Sequence, residues 1–364
     1  MQSRCICHVT EVDLDEEVGG AMTNDMKMIC ALRKLGDVDI IYLQKRKCRS
    51  MAAALLLFGI QILRSLSNPY MVYFSRGLFP SFILLLLRPF HGKKLVHQAL
   101  SVPFPSGDVK YFPHNKLESF VRFCLFRFLE RIVPPKVDMI TVAAEDYSLP
   151  LMKADVKKCN IEVVPFYVED DFFQQPIKSG ADESFKFCYV GLFHLYHGLL
   201  PLVEAFELFN PPEKSIKLLL VGDGPQRPRV EREVVRRRLR GKIEFAGIVP
   251  HSSLPSFLSK TDCFILFSHA SAIPIGLLEA AAAGKAIITL RRKEDGALSR
   301  YFRHGKEIYM VNTFSASEIA KALDLLYENS ELRYNLAQGA RKVAERYFSE
   351  DATLHQLRRL IDSL

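Results

Sequence analysis

The sequence lacks three features that would place a protein outside the cytosol or within a membrane. Its eight cysteines are scattered without a CxxC pair, so neither a zinc site nor a disulfide framework is indicated and the thiols are expected to be reduced. No apolar segment follows the first basic residue, so we expect no secretory signal. Every stretch without Asp, Glu, Lys or Arg is shorter than the roughly 20 residues of a membrane-spanning helix. We therefore expect a cytoplasmic protein, either soluble or peripheral on the inner face of a membrane.

The composition is that of an ordinary globular protein. Hydrophobic residues make up 49% and charged residues 25% of the 364 residues, which excludes a disordered, collagenous or coiled-coil chain. This length favours two domains over one. The net charge of +8 indicates an anionic partner without identifying it.

Short apolar segments alternate with segments of helical periodicity along both halves of the chain. Such alternation produces parallel sheets joined by right-handed crossovers, so it predicts an α/β protein with two doubly wound, Rossmann-like domains. The predicted strands lie at 5–12, 38–43, 70–74, 94–98, 139–143 and 161–164 in the first half, and at 185–190, 216–221, 242–245, 263–267 and 286–289 in the second.

A loss of periodicity between Pro165 and Asp182 marks the boundary between the two halves. Prolines, a glycine and the acidic run 169–171 interrupt the pattern there. We expect an N-terminal domain at 1–168, a C-terminal domain at 169–348 and a final helix at 349–364. Because ligands bind outside the carboxyl ends of parallel strands, two facing domains would place the active site in the cleft between them.

Two strand-to-helix loops of the second half contain residues suited to a phosphorylated ligand. Residues 221–225 read Val-Gly-Asp-Gly-Pro, and these glycines serve equally a tight turn or a close approach to a ligand. The second loop runs from Ser268 to Ile275 and enters an alanine-rich helix that Gly284 ends. The free amides at the start of that helix, together with the positive end of its dipole, suit a diphosphate.

Glu279 is expected about one turn inside the same helix. A carboxylate at this place can accept hydrogen bonds from two sugar hydroxyls. A glutamate near a helix start is also favoured by the helix dipole alone. The local pattern leaves both interpretations open.

The order of these blocks resembles the donor domain of a family-4 glycosyltransferase of the GT-B fold, a group 1 glycosyltransferase. The resemblance covers residues 185–348, and the first half fits it more loosely through 19–20, 97–98 and 162–165. The blocks that carry it in the second half are 189–191, 197–198, 221–225, 245–249, 254–267, 273–284, 340–341 and 347–349.

The resemblance implies that a sugar is transferred from a nucleotide-sugar donor to a lipid-linked, polysaccharide or other glycan acceptor, with retention of configuration. It implies no cofactor and no bound metal ion. The N-terminal domain would bind the acceptor and the C-terminal domain the donor, and the final helix would return to the N-terminal domain.

The same resemblance assigns roles to single residues. Glu279 would hold the ribose, and the amides from Ile275 to Leu278 the diphosphate, while Gly247 to Val249 would border the base. The residues expected to face the sugar and the acceptor, as catalytic positions, are Gly19, Gly20 and His97, although His97 is equally open to a structural role. The predicted donor-binding set is Gly191, His194, His197, Gly222, Asp223, Gly224, Gly247, Val249, Ser271, Ile275, Gly276, Leu277, Leu278 and Glu279.

Three positions depart from the pattern of the family. Leu192 and His197 stand where it usually has an arginine and a lysine that clamp the diphosphate, and Ser271 stands where it usually has a glutamate. A neutral histidine donates one hydrogen bond where a lysine carries a full charge, so we expect a weaker grip on phosphate unless other groups replace it. An unusual donor, a slow enzyme and a non-catalytic sugar-nucleotide or carbohydrate-binding protein all remain open.

Basic residues are concentrated in two segments. No Asp or Glu occurs from Ile40 to Gly107, where Lys and Arg flank apolar helices, and an aromatic helix with interleaved arginines extends to Val133. This pattern suits an anionic membrane surface at residues 40–133, and also sheet-covering helices with solvated cationic ends. The segment from Arg227 to Lys242 is basic too, but because no RNA-binding signature accompanies it, a solvated helix is favoured and nucleic acid is not expected as a partner.

Overall fold

The computed structural model describes residues 5–14, 20–45, 47–48, 50–99, 116–144, 151, 156–157, 160–178, 184–209, 216–268, 273–291 and 296–364. The chain divides into two compact units. The first consists of residues 1–166 together with 353–364, and the second of residues 167–352. The boundaries at 168 and 348 expected from the sequence lie within a few residues of these points.

Among the described residues, each unit contains one six-stranded parallel sheet. The strand order is β2-β1-β3-β4-β5-β6 in the first unit and β12-β11-β10-β7-β8-β9 in the second. The strands are β1 Cys5–Thr10, β2 Asp37–Tyr42, β3 Val72–Arg76, β4 Lys94–Ala99, β5 Met139–Val142, β6 Ile161–Val163, β7 Lys186–Val190, β8 Lys217–Val221, β9 Ile243–Gly247, β10 Cys263–Leu266, β11 Ala286–Leu290 and β12 Tyr309–Val311.

Helices connect successive strands and cover the sheets. The described α-helices are α1 Gly20–Arg33, α2 Met51–Ser65, α3 Leu78–Leu86, α4 Arg88–His91, α5 Lys116–Ile132, α6 Asp170–Phe173, α7 Leu199–Phe209, α8 Arg227–Arg236, α9 Leu254–Ser259, α10 Ile275–Ala282, α11 Ala297–Tyr301, α12 Ala316–Glu328, α13 Ser330–Phe348 and α14 Glu350–Asp362.

The doubly wound α/β architecture predicted from the sequence is confirmed, with one strand that the sequence reading missed. The predicted strands all occur with ends shifted by one or two residues, because uninterrupted apolar runs mark strands that are buried on both faces. The missed strand, β12, has only three residues and ends the sheet.

The helices of the first unit lie on two faces of its sheet. Asp25 of α1 bonds to His8 and Thr10 of β1, whereas Ser81 of α3 bonds to Ser75 of β3. Tyr73 points to the same face as Ser75, because side chains two residues apart in a strand share a face. It bonds to Ser65 of α2 and contacts the ring of His91 in α4, and α5 packs against α3. Thus α2, α3, α4 and α5 form one layer and α1 lies on the opposite face.

The last helix belongs in part to the first unit. Residues Thr353–Leu364 cluster with it, and Thr353 donates a hydrogen bond to the carbonyl of Pro165 at 3.4 Å. Thr353, Leu357 and Leu360 of α14 are buried. Within the described ranges, no helix combines the length and the apolar character needed to cross a membrane.

Candidate functional site

The topology of the second unit marks one place where a ligand fits. From β7 the chain moves outward to β8 and β9, and it then returns to the other side of β7 to form β10, β11 and β12. At such a reversal the loops beyond the carboxyl ends of the two neighbouring strands diverge and leave a crevice. In this unit the two strands are β7 and β10, which pair in parallel.

The loops that follow β7 and β8 touch through their backbones, and this contact requires two glycines. Gly222 has φ +124°, and a Cβ there would lie 2.0 Å from the carbonyl oxygen of Gly191. Gly224 has φ +152°, and its Cβ would lie 2.7 Å from the carbonyl oxygen of Phe193. The amide of Phe193 donates to the carbonyl of Asp223 at 2.8 Å. Packing therefore accounts for both glycines of the Gly-Asp-Gly motif, and a contact with the donor stays a prediction.

The first turn of α10 presents amides toward the crevice side of the sheet. The helix begins at Ile275 after Pro274, whose side chain provides no cap. The amides of Leu277 and Leu278 donate to the carbonyl of Pro274. The amides of Ile275 and Gly276 have no hydrogen-bond acceptor among the described residues, and the positive end of the helix dipole lies with them.

Gly276 differs from the glycines of the neighbouring loops. Its φ lies outside the left-handed region, and an added Cβ would meet the carbonyl oxygen of Val190 at 3.5 Å, an ordinary contact. Neither backbone conformation nor packing against the described residues therefore requires glycine here. A ligand that approaches the backbone closely would explain the glycine at this position.

Glu279 lies one turn inside α10, where the sequence placed it. It is buried, with 4% of its surface exposed, and its Oε1 lies 2.8 Å from Nε2 of His251. Since a carboxylate only accepts, His251 is the donor. The ring of His251 also contacts that of Phe172 in α6, at 5.6 Å between centroids.

Glu169 completes a group with His251 and Glu279. One ligand atom from each of the three side chains lies within 4.8 Å of the others. Carboxylate oxygens and a histidine nitrogen are ligands that divalent ions accept, so this group is the one in the described part of the chain that can hold an ion. Sequence reasoning missed Glu169 and His251, because they come from segments far apart along the chain.

His197 lies in a 3₁₀ turn, Leu195–His197, that follows the β7 loop. Its Nδ1 is 3.1 Å from the carbonyl oxygen of Phe267, the residue after β10. A carbonyl only accepts, so Nδ1 carries a hydrogen and neutral His197 has a lone pair on Nε2. Burial lowers the pKa of His197 and the nearby His194 lowers it further, although the bond to Phe267 opposes this shift. Leu192, in the β7 loop, is 57% exposed.

The other described residues of the predicted donor set lie at or just after the carboxyl ends of β8 and β9. Asp223 is exposed, where it accepts from the amide of Gly224 and from Arg227, and these bonds lower its pKa. Gly247 has φ +69° at the end of β9 and its carbonyl accepts from the amide of Gly222 at 2.7 Å. Val249 is half-buried two residues later. Ser271 lies outside the described residues.

The three predicted catalytic positions belong to the first unit. Gly20 is the first residue of α1, while Gly19 lies outside the described residues. His97 lies within β4, in the strand predicted at 94–98. It is 3% exposed, with Nδ1 2.8 Å from Oγ of Ser81, and burial lowers its pKa to about 4. His97 is therefore neutral near pH 7, and a role toward the acceptor stays a prediction.

The first unit also contains a buried polar row that sequence reasoning missed. The strand register places Thr10, Arg76, Gln98 and Thr141 side by side at the carboxyl ends of β1, β3, β4 and β5. Asp25 of α1 accepts from Thr10 at 2.5 Å and lies 3.1 Å from Arg76. Burial opposes its ionisation, but the bond from His8 and the charge of Arg76 keep its pKa below the usual value.

Within the described residues, three of the eight cations between Arg227 and Lys242 pair with carboxylates, and they are Arg227, Arg236 and Arg237. Arg227 bonds to Glu231 as well as to Asp223, and Arg237 bonds to Glu207. This arrangement agrees with the solvated helix favoured from the sequence.

Comparison with known proteins identifies the second unit. A family profile described as "Glycosyl transferases group 1" matches residues 171–343, which include the β7 loop, the uncapped start of α10 and Glu279. These residues, just under half of the chain, are similar to the group 1 glycosyltransferases. The resemblance to a group 1 glycosyltransferase stated above is thereby confirmed, and its family-4 part stays a prediction.

Curated relatives match the chain over about half of its length. Alpha-D-kanosaminyltransferase of Streptomyces kanamyceticus is 26% identical over 182 residues, which are 49% of this chain and 45% of the relative. N-acetyl-alpha-D-glucosaminyl L-malate synthase of Bacillus anthracis is 27% identical over 186 residues, 50% of this chain and 47% of the relative. The matched part thus spans about half the length of these relatives.

Solved structures resemble nearly the whole chain. Sucrose-phosphate synthase from Thermosynechococcus elongatus has a TM-score of 0.77 at 18% identity, covering 99% of this chain and 98% of that one. The Anabaena protein Alr3699/HepE in complex with UDP has a TM-score of 0.74 at 13% identity, covering 99% and 100%. At these identities the likeness establishes the fold alone, which is the GT-B fold.

The contact between the β7 and β8 loops gives a test of stability. We expect Gly222→Ala to lower the free energy of unfolding by about 3 kcal/mol or more, because the new Cβ meets backbone and φ is unfavourable. Gly247→Ala is the matched control, since its φ is also positive but nothing lies within 4 Å of its Cβ position. It should cost only about 1–2 kcal/mol. Urea denaturation followed by circular dichroism measures both, and equal losses would show that the loop contact is not tight.

Proposed function

We propose that this chain transfers a sugar from a nucleotide-sugar donor, bound by the second unit, to a lipid-linked, polysaccharide or other glycan acceptor bound by the first. The observation that carries the proposal is the uncapped start of α10, with Glu279 one turn behind it at the β7–β10 reversal. Free amides and the helix dipole favour the diphosphate, and a carboxylate accepts from ribose hydroxyls. A single nucleoside diphosphate contains both the diphosphate and the ribose that these two contacts require.

The chemistry follows from charge placement. When the glycosidic bond of the donor breaks, negative charge collects on the departing diphosphate and positive charge on the sugar ring. Amides of Ile275 and Gly276 stabilise the first charge as fixed dipoles.

We propose that transfer retains the anomeric configuration and needs neither a cofactor nor a metal ion. The rate of sugar transfer should then be unchanged in EDTA. A rate that falls on chelation and recovers with a divalent ion would contradict the proposed metal independence. Glu169, His251 and Glu279 would then be the candidate ligands of the ion.

A second candidate, a binding protein that does not turn over its ligand, is favoured by one observation. The exposed Leu192 offers no charge, and His197 is held in a form whose free nitrogen is an acceptor toward phosphate. The described loop beside β7 therefore contributes no permanent cation. Base-selective binding of nucleotide diphosphates fits both candidates, whereas sugar turnover fits only the enzyme.

Glu279→Gln tests the donor site directly. Gln keeps an oxygen that accepts from His251, so the fold is preserved, but the charge that strengthens the bonds to ribose is lost. We expect nucleotide-diphosphate affinity, measured by calorimetry across a panel of bases, to fall about tenfold or more. Glu328→Gln, an exposed glutamate of the same unit, should leave affinity unchanged. An identical dissociation constant for the Glu279 variant would remove this residue from the site.

Gly276→Ala separates ligand approach from stability. The free energy of unfolding should stay the same or rise by up to ~1 kcal/mol, since alanine favours a helix and the space is sufficient. Affinity for the diphosphate should nevertheless fall, because the methyl group keeps phosphate from the first-turn amides. If the variant bound the nucleotide as tightly as the original chain, the diphosphate would lie elsewhere.

We propose that His197 binds the diphosphate in its protonated form. Protonation converts Nε2 from an acceptor into a charged donor, so the ligand raises the pKa that burial lowers in the free protein. Affinity should be greatest below the pKa of the free protein and should weaken as the pH rises through the raised pKa of the complex. A nucleotide sugar is the appropriate probe, because its doubly esterified diphosphate has no proton to lose near neutral pH.

Three variants distinguish His197 from other titrating groups. His197→Lys should bind nearly independently of pH between 5.5 and 8, on the order of tenfold tighter at the upper end than the original chain, and His197→Gln should bind weakly throughout. His355→Gln, at an exposed position of α14, should keep the original pH profile. The proposal fails if the profile survives in His197→Gln.

A further inference from the structure

The helical layer of the first unit exposes an apolar surface. We call it the outer helical surface and define it by exposed apolar side chains of α2 to α5. These are Met51, Leu55, Leu56, Ile60 and Leu63 of α2, Leu86 of α3, Phe90 of α4, and Leu125 and Phe128 of α5. Their exposed fractions range from 37% at Ile60 to 79% at Phe90.

Helix α2 departs most clearly from an ordinary surface helix. Its inner side buries Ala54, Phe58 and Ile62, each at most 1% exposed. A surface helix normally places charged residues on the opposite side, but here that side carries Leu56 and Leu63, which are 68% and 54% exposed. Arg64 is the one charged residue of the helix. A helix that is apolar all round is normally covered, so α2 requires a partner on its outer side.

The exposed side chains of the other helices belong to the same layer. The rings of Tyr73 and His91 join the end of α2 to α4, as described above, and α3 packs against α4 and α5. Phe90 and Phe128 are therefore on the same side of the sheet as Leu56. The exposed apolar side chains are thus distributed over four helices of one layer.

The charged residues of α2, α3 and α4 have one sign, whereas α5 also contains Glu118 and Glu130, of which Glu130 is 11% exposed and pairs with Arg127. No Asp or Glu occurs between Ile40 and Gly107, and exposed cations flank α2 at both ends, with Lys45 and Lys47 before it and Arg64 in its last turn. The carboxylates of the layer's edge are covered and paired. Asp138 is 15% exposed and accepts two hydrogen bonds from Arg88, at 2.7 and 2.8 Å.

We propose that the outer helical surface docks onto the anionic face of a phospholipid bilayer. Exposed apolar side chains would enter the boundary between headgroups and acyl chains, and the flanking cations would contact the headgroups. The exposed apolar side chains of α2, α3 and α4, in a segment that has cations and no carboxylate, are complementary to such a surface. The proposal goes beyond the donor site, which lies in the other unit, and it does not depend on sugar transfer.

The chain contains no tryptophan, so a single introduced indole reports on one position. Leu56→Trp and Phe90→Trp place it on the outer helical surface, and Leu208→Trp places it on α7 of the second unit, where Leu208 is 56% exposed. With vesicles of phosphatidylglycerol and phosphatidylcholine, the emission at 56 and 90 should shift to the blue and be quenched by brominated acyl chains. The emission at 208 should not change, and pure phosphatidylcholine should give a weaker response.

Binding variants test the two components of the surface. In co-sedimentation with the same vesicles, Leu56→Asp with Phe90→Asp, and separately Lys47→Glu with Arg64→Glu, should each lower the partition coefficient by roughly tenfold or more. Leu208→Asp and Lys321→Glu, which change exposed residues of the second unit, should pellet like the original chain. Nucleotide affinity, measured in parallel, should be unchanged in every variant, and it separates this proposal from the donor-site proposal.

Two results would overturn the proposal. Equal pelleting of all variants, or indole shifts that do not differ between positions 56, 90 and 208, would show that this surface does not meet the bilayer. A blue shift at 56 and 90 that appears without vesicles and grows with protein concentration would show that a second copy of the chain covers the surface instead.

Discussion

The proposed site depends on two backbone amides whose hydrogen bonds the described protein does not satisfy. Ile275 and Gly276 begin α10 behind a proline that cannot cap them, and the remaining first-turn amides are already bonded to that proline's carbonyl. Unsatisfied amides at a helix start are costly unless water or a ligand accepts from them. Beside this helix start, the loops that follow β7 and β8 contact each other closely at Gly191 and Gly222.

Two further side chains, Glu279 and His197, would determine how the proposed site binds a nucleotide. Glu279 accepts a hydrogen bond from His251, whose ring contacts that of Phe172. The carboxylate is therefore positioned before a nucleotide binds. His197, by contrast, offers a charge only after protonation, because its other nitrogen is committed to Phe267. The proposed grip on the diphosphate thus combines permanent dipoles with a charge that depends on pH, where a lysine would supply a constant one.

Sequence reasoning succeeded where the signal is local. Apolar runs marked the parallel strands, and the glycine after the alanine-rich segment marked the end of α10, since Gly284 has φ +64°. The short edge strand β12 was missed. Glu169 and His251 were missed because their proximity to Glu279 arises only from tertiary packing. The glycines at 222 and 224 could not be assigned from sequence, since a tight turn and a close approach between loops require the same residue.

The most direct test is a structure of the chain with a nucleoside diphosphate bound. The account predicts diphosphate oxygens within hydrogen-bond distance of the amide nitrogens of Ile275 and Gly276, and a ribose hydroxyl on the carboxylate of Glu279. A bound nucleotide whose phosphates lie away from the first turn of α10 would contradict it, whatever other side chains it met.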